Sequence, residues 1–421
     1  MPPDAAALST RAFLARNARW LAAGGLLTLL SSFGQTFFIS IFSGEIQAAH
    51  GLTPGGWGLI YTLGTAASAV AMLWAGAQAD RRSIRGLGTV VLMGLATACL
   101  LMAMAPAPWA LLLAVFALRL AGQGMTGHVA MVAMARWFDR TRGRAISVAA
   151  LGFSLGEAVL PLLFVALLGV AGFRPLWALS AALILLAIPV VRRLLSQERT
   201  PQGGGPEPRQ TPGMDGRHWR RGEVLRSRLF WAMVPTAMGP SAVVTAFFFL
   251  QVHLAEAKGW SHLQLVALFP LYTATAVGAM LAAGWAIDRF GSGRLVPVFM
   301  LPLAASFLVM AEARALAAAA LAMVLMGLTQ GVNSTLAGAF WAEFFGTRHL
   351  GAIRAMTAAL MVLGSAVGPG VAAALIDAGL AFEAQMPWIA GGLAGASALT
   401  ALAIGGAIRR LPRRPGPALA A

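Results

Sequence analysis

The fold class this sequence predicts is an all-α membrane protein of twelve transmembrane helices in two six-helix bundles. Three observations predict it. Of 421 residues, 58% are hydrophobic and only 11% charged, with a mean hydropathy of +0.75; a soluble domain carries about a quarter charged residues. Apolar runs long enough to cross a hydrocarbon core of about 30 Å as helices recur twelve times along the chain. All but four of the 31 basic residues lie before the first run, after the last, or in loops that follow even-numbered runs.

The first run, 20–44, follows Arg11 and Arg16 with no small-residue cleavage site behind it, so it reads as a retained signal anchor. Runs at 56–79, 87–104, 108–133, 143–168 and 171–191 complete an N-terminal bundle, 1–191. A stretch rich in Pro, Gly and Arg, 192–228, cannot bury apolar surface and reads as a flexible cytoplasmic linker, a tether and topology determinant before a regulatory or anionic-lipid site. Runs at 229–251, 263–286, 293–311, 314–340, 350–376 and 387–408 make the C-terminal bundle, 229–421.

The net charge of +16 is topological. Only Arg174, Lys258 and Arg314 occupy the opposite loops, and Arg119 alone lies mid-run. That asymmetry is the positive-inside rule; it puts both termini in the cytoplasm and leaves no nucleic-acid role. Thirty Arg against one Lys reads as GC-rich bacterial coding, hence the cytoplasmic (inner) membrane. One cysteine, Cys99, allows no internal disulfide, and the six His show no ligand spacing, so neither metal nor cofactor is expected. Trp57, Trp109, Trp177, Trp260 and Trp388 fall at run boundaries and read as an aromatic belt.

Sliding the chain along itself by 208 residues places Gly76, Asp80 and Arg81 on Gly284, Asp288 and Arg289. The same ungapped register puts Gly143 on Gly351, Gly156 on Gly364 and Pro161 on Pro369. These residue types are backbone and packing choices, so the register marks two homologous halves. Gly152 with Gly156, and Gly364 with Gly368, stand four apart and predict close helix packing between the halves, with a hinge at the prolines as the alternative.

Two parallel six-helix repeats joined by a linker resemble the major facilitator transporters. Their loop signature, Gly followed four residues later by Asp-Arg, stands here as GAQADRRSIR (76–85) and GWAIDRFGSGR (284–294), with Ser83 at a usual Gly. The resemblance implies that Asp80, Arg81, Asp288 and Arg289 gate the cycle and do not bind substrate. A narrower stretch, 135–163, is similar to the monocarboxylate and oxalate/formate branch, with an aromatic pair and a Gly-Arg-Ala entry. Helix 8 carries no buried basic residue of the kind that branch's anion carriers use.

Polar side chains well inside the runs are the candidates for a site near the midplane. Substrate contacts are expected from Arg119, Gln123, Gln35, Tyr272, Gln330 and Asn333; Thr36 and Thr273 share these stretches, and helix-to-helix hydrogen bonding is the competing reading for each uncharged member. His128, His253 and Asp377 lie nearer the edges and read as packing or capping residues. Arg119 cannot deprotonate and needs a partner or a cavity. Glu157 lies at matching depth on the next, antiparallel helix, which makes it the expected partner of Arg119 and the proton-coupling group.

No phosphate-binding loop, zinc-type His-Glu-x-x-His or Gly-x-Ser-x-Gly elbow is present, which points away from ATP-driven transport and from a membrane enzyme. The expected function is secondary active transport of a small organic anion such as a monocarboxylate, proton-coupled, by a functional monomer in the lipid bilayer. Proton-coupled efflux of a drug or metabolite at Glu157 is the alternative.

Overall fold

The computed structural model describes residues 9–138, 141–197 and 210–412, the side chains of Thr10 and Asp80 excepted. Among them ten helices are long and apolar enough to cross a membrane, and an eleventh span is a bent pair. In chain order they are α1 (Arg11–Gly34 with Thr36–His50), α2 (Pro54–Ala75), α3 (Ile84–Met104), α4 (Pro108–Trp137), α5 (Arg142–Ala171), α6 (Phe173–Leu194), α7 (Arg228–Phe249), α8 (His262–Phe290), the short α9 (Leu301–Glu312), α10 (Leu316–Phe345), α11 (Leu350–Asp377) and α12 (Phe382–Ile408). The ninth run is split, because Pro297 has no N–H to continue the turn begun at Ser292–Leu295, and the chain passes through turns before α9 starts.

Local chemistry sets the boundaries. Thr53 accepts from Gly56 N ahead of Pro54, Ser83 accepts from Gly86 N, and Ser261 with Gln264 forms a capping box. α1 bends by 50° after Ser31-Ser32-Phe33-Gly34, where the serines and the glycine are residues of the kind that kinks helices, and Gln35 is extended at φ −85°, ψ 153°. In α4 the stretch Arg119–Thr126 widens to π-helical, and Thr126 Oγ1 donates 2.6 Å back to Ala121 O.

The chain falls into two compact units. The first holds Met1–Pro206, Thr245–Thr273 and Ala366–Phe382. Its aromatic centre is Phe38, edge-on to Phe164 at 4.9 Å and to Trp177 at 5.4 Å, with Phe42 against the same indole. Gly152 and Gly156 pack on α1 in this unit, where a Cβ would strike Thr28 and Ser32. The close packing expected from these glycines is therefore made within one repeat, α5 on α1. Trp57 and Trp177 are core residues and not belt residues: Trp57 stacks on Phe249 and donates to Ser43 Oγ at 3.0 Å. Trp109 and Trp388 are exposed, as a belt requires.

The second unit holds Glu207–Val244, Ala274–Ser365 and Glu383–Ala421. Here α7 is tied to α12 by Thr236 and Thr400, 2.6 Å apart, and to α11 by Ser241 Oγ donating to Met361 O at 2.8 Å. Gly364 faces Met238 O on α7, which repeats at the second copy the α5 on α1 packing of the first.

The linker corrects its expectation. Residues 198–209, including Gly204, lie outside the described residues, but 210–228 is folded. Thr211 N donates to Thr347 Oγ1 at 2.9 Å, Trp219 N donates to Phe345 O at 3.0 Å, and the Trp219 ring stands edge-on to Phe345 at 5.5 Å. Asp215, at φ 57°, receives both Nε (2.9 Å) and Nη2 (2.5 Å) of Arg410, and its N–H reaches Arg410 O at 2.8 Å. Composition pointed to flexibility; one buried tryptophan and a bidentate ion pair outweigh it.

The Arg410 guanidinium holds the Asp215 carboxyl below the usual carboxylate range. The ion pair's support of 211–219 is thus complete above about pH 4 and is lost as pH falls through the depressed value. Asp215→Asn is therefore expected to speed amide exchange of 211–219 at neutral pH and to abolish any further loosening on acidification. Exchange rates identical to wild type at both pH values would disprove this support.

Candidate substrate site

Arg119 is 2% exposed and stands at the head of the π-helical stretch of α4. Its Nη1 donates to Gly34 O at 3.4 Å and to Thr36 Oγ1 at 3.3 Å. The guanidinium carbon lies 5.5 Å from the Tyr61 ring centroid, and Tyr61 OH and Thr36 Oγ1 are 2.5 Å apart. The Nε is buried without a hydrogen-bond partner among the described residues. Two long bonds to neutral oxygens and one aromatic face leave a full positive charge only partly compensated.

The bend in α1 makes this arrangement. Breaking the helix at Gly34 frees the carbonyl that Arg119 meets. With no side chain at either position, Gly34 and Gly122 bring the two irregular backbones into direct contact: a Cβ on Gly122 would fall 2.6 Å from Gly34 Cα.

Glu157 is not the partner of Arg119. Among the described residues no carboxylate is within ion-pair distance of Arg119, and Glu157 Oε2 instead accepts from Thr273 Oγ1 at 3.3 Å. α1 lies between them: its Gly34 meets α4 and its Ser32 meets Gly156 of α5. The expected lateral adjacency of Arg119 and Glu157 is not made.

Gln35 and Gln123 flank Arg119 on the bend and on the π-helical stretch; both are half-buried, and their amide groups make no hydrogen bond within the described residues. Tyr272 is buried on α8, edge-on to Phe248 at 5.4 Å. Gln330 and Asn333 are in the second unit, half-buried on one face of α10 with no hydrogen bond to their amides among the described residues. Asn333 lines a cavity of about 30 Å³ with Thr236, Phe299 and Trp341, room for about one water.

Of the loop-motif residues, Arg81 is exposed, and the loop is held by Arg136 Nη1 donating to Ala79 O at 3.0 Å. The side chain of Asp80 is outside the described residues. Asp288 and Arg289 are exposed in the second unit, with Arg289 over the Trp285 and Phe290 rings at 5.8 and 5.7 Å. Asp377 accepts from Thr53 Oγ1 at 2.6 Å, and His128 Nε2 is 3.2 Å from Gly76 O, as capping and packing residues.

Sequence reasoning passed over Tyr61, one of only two tyrosines in the chain, whose rarity was an available signal. It also missed fully buried Gln251, which donates to Phe37 O, Ser40 Oγ and Phe248 O at 3.2, 2.7 and 3.0 Å. Its position at the end of an apolar run made it look like a boundary residue.

The fold matches that of a bacterial homolog of the human lysosomal transporter Spinster, with TM-score 0.70 at 16% identity over 95% of this chain and 99% of that one. It also matches nucleoside transporter NupG, TM-score 0.69 at 13% identity over 93% and 99%. In sequence the chain is similar to an uncharacterized 38 kDa protein in the 23S RNA operon of Thermoproteus tenax, 27% identical over 95% of this chain and 99% of that protein. The family profile of the Major Facilitator Superfamily matches residues 24–369, so this multi-pass membrane protein, a transporter and not an enzyme, belongs to the Major Facilitator Superfamily.

Proposed function

We propose that the protein carries a small organic anion, a monocarboxylate in the first instance, across the cytoplasmic membrane by proton-coupled alternating access. The observation that carries this reading is Arg119: an interior guanidinium, 2% exposed, with neutral acceptors at 3.3 and 3.4 Å and no acidic partner among the described residues. A carboxylate would supply the missing charge through the bidentate geometry that guanidinium offers. Gln35 and Gln123 are assigned to the substrate from the first half, and Tyr272, Gln330 and Asn333 from the second.

In this reading the halves 1–191 and 229–421 are joined by the 192–228 linker, whose 210–228 end moves with the second half, with Asp80, Arg81, Asp288 and Arg289 as gates and both termini cytoplasmic, in a functional monomer. Glu157 carries the proton. It cannot be displaced from Arg119 by substrate, since the two do not touch; α1, packed on Gly122 at one face and Gly156 at the other, is the mechanical link between them. A second reading is favoured by the same separation: a carboxylate whose only hydrogen bond among the described residues is from Thr273 could serve efflux of a cationic solute without Arg119.

Glu157→Gln decides between them. For an anion carrier, exchange of labelled monocarboxylate between equal pools persists in proteoliposomes, while accumulation driven by a proton gradient is lost. Undiminished accumulation would remove Glu157 from the coupling role.

A further inference from the structure

At the start of α7, in the second unit, lies a cavity of about 560 Å³ lined by arginines on one side and by α12 on the other. Two of its arginines are internally neutralised: Arg217 by Glu223 at 2.9 Å and Arg410 by Asp215 at 2.5 Å. The other two, Arg226 and Arg228, are exposed and make no hydrogen bond or ion pair among the described residues. Two uncompensated positive charges therefore face one pocket.

The opposite wall is apolar and open. Leu229 lines it together with Ala403 and Gly406 of α12, and a Cβ added at Gly406 would touch nothing within 4 Å. An apolar lane lined by the small residues Ala403, Gly406 and Ala407 thus stands beside the arginines. Its depth is marked by Trp231, 60% exposed, whose indole N–H donates to Leu225 O at 2.8 Å; exposed tryptophan with a polar anchor is the residue of the membrane interface. Positive charge at headgroup level with an apolar lane beside it is complementary to one chemistry: an anionic headgroup with a hydrocarbon chain attached.

We propose that this pocket binds an anionic phospholipid, its phosphodiester on Arg226 and Arg228 and one acyl chain along the Gly406 face of α12. A free phosphate would use the arginines and leave the lane empty, so the lane separates the two sources.

The test is native mass spectrometry of the full-length protein in detergent, titrated with phosphatidylglycerol, with phosphatidylcholine and with inorganic phosphate. Phosphatidylglycerol is expected to bind in preference to phosphatidylcholine. Arg226→Gln with Arg228→Gln should weaken it about 25-fold, at about fivefold per arginine near a membrane surface. Gly406→Leu, which fills the lane and leaves every charge in place, should weaken phosphatidylglycerol and not phosphate. Equal retention of both lipids, or wild-type affinity in both variants, would overturn the proposal. Millimolar phosphate displacing the lipid, with Gly406→Leu silent, would overturn it in favour of a soluble-anion site.

Discussion

Arg119→Gln is expected to raise thermal stability and abolish anion binding in the same molecule. The two effects have one cause. An interior charge costs desolvation that two long bonds to neutral oxygens and one aromatic face only partly repay, so removing it should stabilise the fold by about 1 kcal/mol, the low end of the range seen when buried ion pairs give way to hydrophobic residues. Removing the guanidinium from a substrate carboxylate costs about 2–5 kcal/mol, or roughly 30-fold or more in affinity. Arg119→Lys should lose binding as well, because a compact ammonium cannot present the planar fork. Thermal-shift assays in detergent, with and without monocarboxylate, read both quantities together. A glutamine variant that melts below wild type would make the arginine a structural residue, and the anion reading would fall with it.

Gly122→Ala is expected to destabilise by about 1–3 kcal/mol, the cost of forcing a methyl group into a packed contact, and to weaken substrate binding in parallel. Its Cβ would meet Gly34 Cα at 2.6 Å and Gly34 N at 2.8 Å. Backbone cannot swing aside as a side chain can, so α1 must retreat and carry Gly34 O and Thr36 away from Arg119. Gly25→Ala, also on α1, is the control: its Cβ would meet nothing within 4 Å, so it should gain about 0.8–1 kcal/mol from helix propensity. Equal stability for Gly122→Ala and wild type would show that the α1–α4 contact is looser than this geometry requires.

Much of the architecture was legible in one dimension. A bilayer imposes a length and a polarity on every span, and both are properties of consecutive residues; the placement of α1 to α12 follows from that, and the repeat at 208 residues from residue identities in one ungapped register. The membership of Arg119 in a buried site was legible for the same reason, since a guanidinium inside an apolar run has no cheap alternative. The split before α9 was also written locally, in Pro297, though its apolar neighbours masked it.

Other features depend on which surfaces meet, and no local pattern encodes that. Trp57 and Trp177 lie at run boundaries like Trp109 and Trp388, yet the first two are core and the last two exposed, because helix rotation is set by neighbouring helices and not by depth. The linker end 210–228 has the composition of a flexible chain, and only the arrival of Phe345, Thr347 and Arg410 gives Trp219, Thr211 and Asp215 something to bind. The sequence by itself determined the spans and the presence of an interior arginine, since these follow from the transfer of consecutive residues into hydrocarbon, and the 208-residue register, since that is a match of one stretch of residues with another. Only the tertiary structure decided that Tyr61, Gly34 and Thr36 surround that arginine while Glu157 turns to Thr273, because α1 bends at Gly34 and occupies the space between α4 and α5, and lateral order among helices of equal depth is a matter of packing.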